Sequence, residues 1–440
     1  MLLRAPAARP LRGEVTVPGD KSVTHRVLWL GALAHGSTRL TNPNPGDDCR
    51  RLRVALGQLG CAVEESRAPS GAPVWTLHGR GLLTSPAATL DFGNSGTAAR
   101  LGLGALAGAG LSACLDGDTS LRHRPMRRVV APLVEMGARI EGSEGTDRLP
   151  LRIEPAALTG RDHRLAIASA QVKTALVFAG LAATGTTRIV EPAPSRDHTE
   201  RLLPLFGAAV ERDAGVAGAP PALGIRGDQR LVAAVVEAPR DFSAAAFWIV
   251  AATLVPGSEI ALPGVSLNPL RAGLLPVLQR MGAQVRAETT GAAGGDPVGT
   301  VVARSSALSG TRISAEEVPS LLDEIPIWAI AAAAAGGVSE VEGAADLRAK
   351  ESDRLTLLAR AVRALGAEVE ERPDGLRIEG TAGRPFRGGR FESGGDHRLA
   401  MAFLVAGLLA PEGLEVTAGE MVDTSDPGFY SSFLNLASPR

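Results

Sequence analysis

Aromatic side chains make up only 3% of the 440 residues, with four tryptophans and one tyrosine. So thin a supply excludes the platforms on which proteins stack nucleic-acid bases. Net charge is missing as well, since 46 lysines and arginines face 47 aspartates and glutamates for a formal charge of −1. No global field gathers a polyanion or an anionic surface, so neither nucleic acid nor membrane is expected as a partner. The three cysteines, Cys49, Cys61 and Cys114, show neither zinc spacing nor a disulfide framework. That usage points to a reducing cytoplasm. The histidines never pair at ligand spacing, and no metal is expected. The apolar runs 244–255 and 325–335 fall short of the roughly 18–20 residues of a membrane span. Arg4, Pro6, Arg9, Pro10 and Arg12 break up segment 1–17, which leaves no signal-peptide core there.

The most informative scarcity is lysine: Lys21, Lys173 and Lys350 are the only ones among 46 basic residues. Either their placement is chance, or each stands where a compact ammonium is needed and a guanidinium does not serve.

What is present is repetition. The hydrophobic fraction of 45% can build sizeable cores, and the length implies two domains. An apolar helix, a glycine and a short strand recur six times, around Gly36, Gly110, Gly185, Gly257, Gly337 and Gly413, at intervals of roughly 75 residues. A second phrase interleaves with it: Leu59-Gly60, Met136-Gly137, Phe206-Gly207, Met281-Gly282 and Leu365-Gly366, each followed by a Val- or Ile-led strand. Glycine there reads as a helix terminator at positive φ. One unit is helix, strand, helix, strand, and six such units pack as two globes of three. The second phrase has no sixth copy, because the chain closes on a short helix over 429–436. The strand-like segment 14–18 is the candidate for the missing piece. Both termini then belong to one domain, 1–19 with 240–440, and 20–239 is an inserted domain. The crossovers fall near 18–21 and 238–243.

About fifteen residues before each repeat glycine a helix must begin, and a helix start gathers unpaired N–H groups that favour anions. The six starts are polar and differ from one another: Gly19-Asp20-Lys21-Ser22-Val23-Thr24-His25-Arg26, Gly93-Asn94-Ser95-Gly96-Thr97 with Arg100, Ser169-Ala170-Gln171-Val172-Lys173, Asp241-Phe242-Ser243, Asp323-Glu324-Ile325-Pro326 and Asp396-His397-Arg398. Asp241 and Ser243 read as plain N-caps. Two cations at the start beginning with Lys21 oppose the helix dipole unless an anion sits there, so a multiply anionic substrate is implied. Arg122, Arg124, Arg127 and Arg128 form one further basic segment, and 348–354 a mixed one.

Together with Ser195-Arg196-Asp197-His198 and Lys350-Glu351-Ser352-Asp353-Arg354, these segments resemble the 5-enolpyruvylshikimate-3-phosphate synthase family, in order and nearly end to end. The resemblance implies an α/β fold of two globular domains, each of three βαβαββ repeats. This is the inside-out barrel type of the enolpyruvyl transferases, with the active site in the interdomain cleft and domain closure about it. It implies transfer of the enolpyruvyl group of phosphoenolpyruvate to shikimate 3-phosphate, with release of phosphate, on the way to chorismate. By the same resemblance, Lys21, Ser22, Arg26, Ser169, Gln171, Ser195, Arg196, Asp323 and Lys350 hold shikimate 3-phosphate. Lys21, Gly96, Arg124, Gln171, Arg354 and Arg398 hold phosphoenolpyruvate. Asp323 accepts the hydroxyl proton, Glu351 protonates the methylene carbon, and Lys21 completes the catalytic set. No cofactor is implied, a monomer is expected, and glyphosate is expected to inhibit because Gly96 leaves space open. His397 is support or a cap, and Lys173 reads as structural or peripheral.

The chain also departs from the pattern. Many members carry a lysine in the segment matching 422–429 that touches phosphoenolpyruvate, whereas Asp423 and Asp426 stand here. Ala170 replaces a second serine, and Leu101 follows Arg100 where some members have proline. Two rivals remain. A sister transferase acting on UDP-N-acetylglucosamine uses a cysteine in the loop matching Arg122–Arg124, which has none here, and Cys114 reads as core. A catalytically dead anion binder on the same scaffold is the other, and the retained Asp323 and Glu351 speak against it. A P-loop fails for want of the upstream glycine before Gly19-Asp20-Lys21-Ser22.

Overall fold

The eleven repeat glycines all adopt positive φ, between 64° and 106°. At Gly366 the N–H turns back to the Arg363 carbonyl and closes the Arg354–Leu365 helix in a left-handed cap that a Cβ would strain. The computed structural model describes residues 1–6, 9–145, 147–213 and 222–437. Six helices, labelled here in chain order, follow the polar starts: α1 (Lys21–Leu33), α2 (Gly96–Ala109), α3 (Ala170–Gly180), α4 (Phe242–Leu254), α5 (Ile325–Ala334) and α6 (His397–Gly407). They are apolar nearly all round and correspondingly buried. Five begin on a side-chain cap, from Asp20, Ser95, Ser169, Asp241 and Asp396. The exception is α5, which grows out of the 3-10 turn Leu322–Glu324 with Pro326 in its first turn.

The chain divides into two compact units. Unit 2 is Gly19–Pro239 plus Ala293–Asp296; unit 1 is Met1–Pro18, Arg240–Ala292 and the chain from Pro297 onward. In unit 2, α1, α2 and α3 form the centre, and three four-stranded sheets cover it. Glycines let α2 and α3 approach closely, because a Cβ on Gly104 would stand 2.0 Å from the Ala175 carbonyl oxygen. Unit 1 repeats the plan with α4, α5 and α6 under two four-stranded sheets and one of three strands.

Each four-stranded sheet has a parallel pair flanking the central helix, then an antiparallel hairpin. In the sheet around α2, Leu90–Asp91 runs parallel to Ala113–Asp116, which pairs antiparallel with Leu151–Glu154 and through it Arg139–Gly142. The order is βαβαββ, two strands richer than the sequence pattern implied. Cys114 lies on the second of these strands between buried Ala113 and Leu115, so it faces away from the core and is only half-buried. The sequence reading had placed it inside.

The missing sixth piece is also assigned differently from the sequence expectation. Strand Leu3–Ala5, not segment 14–18, pairs antiparallel with Leu414–Thr417, with Arg4 opposite Glu415, and completes the last sheet. Strand Arg12–Glu14 runs parallel to Glu259–Ser266 and opens the sheet of α4. In unit 2 the matching opening strand is Val235–Glu237, parallel to His35–Thr41. Each unit thus takes its first strand from the segment just before a crossover. The crossovers are tight: Asp20 N–H donates to the Pro239 carbonyl at 2.7 Å, and Asp241 N–H to that of Pro18 at 2.9 Å.

Candidate active site

In unit 2 the predicted residues collect at the starts of α1, α2 and α3. Lys21 opens α1, and its ammonium lies 2.9 Å from Asp48 Oδ2. Arg26, one turn on, is 2% exposed. Its Nε donates to Thr199 Oγ1 at 2.8 Å and its Nη2 to Thr174 Oγ1 at 3.1 Å, while Nη1 returns to the Ser22 carbonyl at 2.9 Å. Burial drags its pKa down to about 10 against the pull of Glu200 and Asp20, and nearby Arg196 adds to the lowering. His25 ties α1 to α2 through a 3.1 Å contact between Nε2 and Ser95 Oγ, and burial pushes its pKa down to about 4. At neutral pH it is an uncharged strut.

Gly96 is the first residue of α2. A Cβ there would sit 3.2 Å from both Arg100 Nη1 and Arg124 Nη1, so only hydrogen lies between two guanidiniums. Arg124 is held by the backbone oxygen of Asn94 at 3.1 Å, by the Asn94 side chain and by Ser120 Oγ at 3.1 Å. Arg100 donates to Gln171 Oε1 at 2.8 Å, and Gln171 Nε2 donates to Thr97 Oγ1 at 2.9 Å. Gln171 therefore joins the α2 and α3 starts. Ser169 caps α3. Ser195 is buried, and its hydroxyl has no hydrogen-bond partner among the described residues.

In unit 1 the predicted residues surround Asp323. Arg354, 1% exposed, lies 2.7 Å from Asp396 Oδ2, 2.5 Å from Glu351 Oε2 and 3.6 Å from Asp323 Oδ1. Arg398 approaches the other oxygen of Asp323 at 3.6 Å and donates to the Asp323 carbonyl at 3.3 Å. Burial opposes the charge on Arg354, yet Asp396 and Glu351 outweigh it and raise its pKa, so Arg354 stays cationic at any working pH. Lys350 is different. Burial dominates there and lowers its pKa to about 8, despite the pull of Asp323. Asp323 and Glu351 thus stand among cations that differ in how firmly they hold their protons.

The EPSP synthase (3-phosphoshikimate 1-carboxyvinyltransferase) family profile matches residues 6–433 of the chain. The chain belongs to the EPSP synthase family. It is 48% identical to the 3-phosphoshikimate 1-carboxyvinyltransferase of Thermus thermophilus, over 98% of this chain and 97% of that protein. Identity to the enzyme of that name from Synechococcus sp. (strain JA-3-3Ab) is 44%, over 100% of this chain and 97% of that one. The fold overlays an EPSP synthase from Acinetobacter baumannii with a TM-score of 0.83 at 37% identity, covering 99% of this chain and 98% of that one. NikO of Streptomyces tendae, an enolpyruvyl transferase 19% identical, shares the fold with a TM-score of 0.77 over 99% and 97% of the two chains.

Not every cation in the family signatures turns toward these clusters. Of the arginine-rich segment, Arg122 is half-exposed and occupied by Asp116, and Arg127 is exposed with Asp147 at 3.4 Å. Arg348 is spent on Asp353, Glu371 and the Pro373 carbonyl. Sequence reasoning missed Asp48, and also a buried network behind Asp323. There Arg271 donates to Glu324 Oε1 at 2.8 Å, Asp241 Oδ1 at 3.0 Å and Ser243 Oγ at 2.6 Å, and Ser243 in turn donates to Glu324. Asp241 is therefore a cap and an ion-pair partner at once. No periodicity marks Arg271, whose only sequence signal is a cation in an otherwise apolar stretch.

Proposed function

We propose that the chain transfers the enolpyruvyl group of phosphoenolpyruvate to the 5-hydroxyl of shikimate 3-phosphate and releases inorganic phosphate. The observation that carries the assignment of roles is the setting of Asp323, a carboxylate flanked by two arginines and a lysine beside a second acid, Glu351. Asp323 takes the hydroxyl proton as the oxygen attacks C2 of phosphoenolpyruvate, and Glu351 delivers a proton to C3, so a tetrahedral adduct forms. Loss of phosphate from C2 and of a proton from the new methyl group restores the carbon–carbon double bond. Lys21, Arg124, Arg354 and Arg398 neutralise the phosphate and carboxylate of phosphoenolpyruvate, with Gly96 and Gln171 shaping that pocket. Lys21, Ser22, Arg26, Ser169, Gln171, Ser195, Arg196 and Lys350 hold the acceptor. The buried hydroxyl of Ser195, which has no hydrogen-bond partner among the described residues, supports this reading, because a buried polar group is costly until something bonds it.

The experiment is phosphate release from phosphoenolpyruvate by the whole chain, with and without shikimate 3-phosphate, alongside Asp323→Ala. Release that needs both substrates and collapses in the variant is expected. Release only with UDP-N-acetylglucosamine as acceptor would move the chain to the sister chemistry, and none with either acceptor would make it a binder.

A further inference from the structure

A buried group of four charges lies behind the α1 and α3 starts, and the reaction steps above do not use its centre. Lys173, on α3, is 4% exposed. Its ammonium lies 2.7 Å from Glu191 Oε2 and 2.8 Å from Glu200 Oε1, and donates to the Ser195 carbonyl at 3.2 Å. Burial works against that charge, but Glu200 and Glu191 outweigh it and hold the pKa above the ordinary lysine value. The group is therefore a fixed cation.

Each contact leads to a residue assigned to the acceptor. Glu191 uses its other oxygen to accept the Ser169 N–H at 3.1 Å, which orients the α3 cap. Ser195 is bonded directly, through its carbonyl, and its hydroxyl has no partner among the described residues. Glu200 is the largest favourable charge acting on buried Arg26, whose Nε is bonded to the adjacent Thr199. A filler for this site need only be apolar, because burying an ammonium with two carboxylates is no cheaper than burying a leucine or methionine. Here the charge is distributed over three ligand-bearing segments.

We infer that Lys173 is a positioning residue for the acceptor, fixing Ser169, Ser195 and Arg26 relative to one another without touching substrate itself. The inference rests on the assignment of these three residues to shikimate 3-phosphate.

The test is steady-state kinetics of the full chain as Lys173→Met and as Lys173→Met/Glu200→Met, with melting temperatures recorded. The double variant removes one charge of each sign, so it keeps the cluster neutral even if the single variant fails to fold. Expected is a rise of roughly tenfold or more in KM for shikimate 3-phosphate, while KM for phosphoenolpyruvate and kcat at saturation stay within about threefold. A folded double variant with the wild-type acceptor KM overturns the inference, and so does a parallel loss in kcat and both KM values. The two failures are distinguishable. A wild-type chain that releases no phosphate with shikimate 3-phosphate defeats the proposed reaction, whereas an active wild type with an indifferent double variant defeats only the role of Lys173.

Discussion

Asp48 Oδ2 lies 2.9 Å from Lys21 Nζ, with the two side chains 7% and 12% exposed. The lysine is the first residue of α1, where a cation opposes the helix dipole, and the aspartate holds it in one rotamer. Asp48→Asn keeps the shape and removes the charge. We expect kcat/KM for both substrates to fall by about tenfold to a hundredfold, equivalent to ~1.4–2.7 kcal/mol. Unchanged constants in a properly folded variant would reduce the pair to a stabilising contact.

Gly96 separates two guanidiniums, and Gly96→Ala would place a methyl 3.2 Å from each. Arg124 is held by Asn94 and Ser120, so it has little room to yield. KM for phosphoenolpyruvate should rise about tenfold or more, with the acceptor KM far less affected. Glyphosate inhibition, if it uses the same space, should weaken in the same variant. Equal rises in both KM values would argue for general disruption of the α2 start.

Lys350 has its pKa lowered to about 8, chiefly by burial. Its charge is complete well below that value and is lost as pH rises through it. The kcat/KM for shikimate 3-phosphate should therefore fall above about pH 8 in the free enzyme. Lys350→Arg keeps its charge to far higher pH and should remove that limb, whatever its effect on the plateau. A limb that stays near pH 8 in the arginine variant assigns it to another group.

Asp426 is buried, and desolvation raises its pKa from 3.8 to about 7, with Asp241 and Asp423 adding to the rise against the Gly428 and Phe429 N–H groups. The unfolded chain ionises this carboxyl near pH 4, whereas the folded chain keeps the proton to about pH 7. Stability is therefore lost as pH climbs between those values, and the penalty is complete above the folded pKa. Asp426→Asn should remove that dependence. Its melting temperature relative to the unsubstituted chain should improve progressively from pH 4 to pH 7.5. A constant difference across the range would show that Asp426 does not titrate on unfolding.

Much of this architecture was legible in the amino-acid order, and the illegible parts share a cause. The glycines at Gly36 through Gly413 carry a backbone requirement that no other residue meets cheaply, so their spacing exposed the repeat. Strands such as Leu90–Asp91 and Arg312–Ile313 are two residues long, too short for any alternation to show. Segment 14–18 carries alternating valines and Leu3–Ala5 has none, yet pairing is decided by what edge is open, and it is Leu3–Ala5 that pairs with Leu414–Thr417. Among the chemical residues, those in dense polar phrases were findable. Asp48 was not, because an acid in the first turn of the Asp47–Gln58 helix already has an ordinary reason to be there. Asp296 was equally hidden. Gly294-Gly295-Asp296 reads as a hairpin turn, but residues 293–296 group with unit 2, where Asp296 Oδ2 sits 3.0 Å from His198 Nδ1, both fully buried.

The pairing of Leu3–Ala5 with Leu414–Thr417 sets an order of events on the ribosome. Unit 2 has nearly every residue it needs once Pro239 has emerged, since its opening strand Val235–Glu237 lies at the end of its main segment. Unit 1 is the reverse case. Its earliest strand must wait, unpaired, through the synthesis of almost the whole chain before its partner exists. During that interval segment 3–5 lacks the strand it pairs with, and unpaired strand segments are what chaperones cover and aggregation exploits.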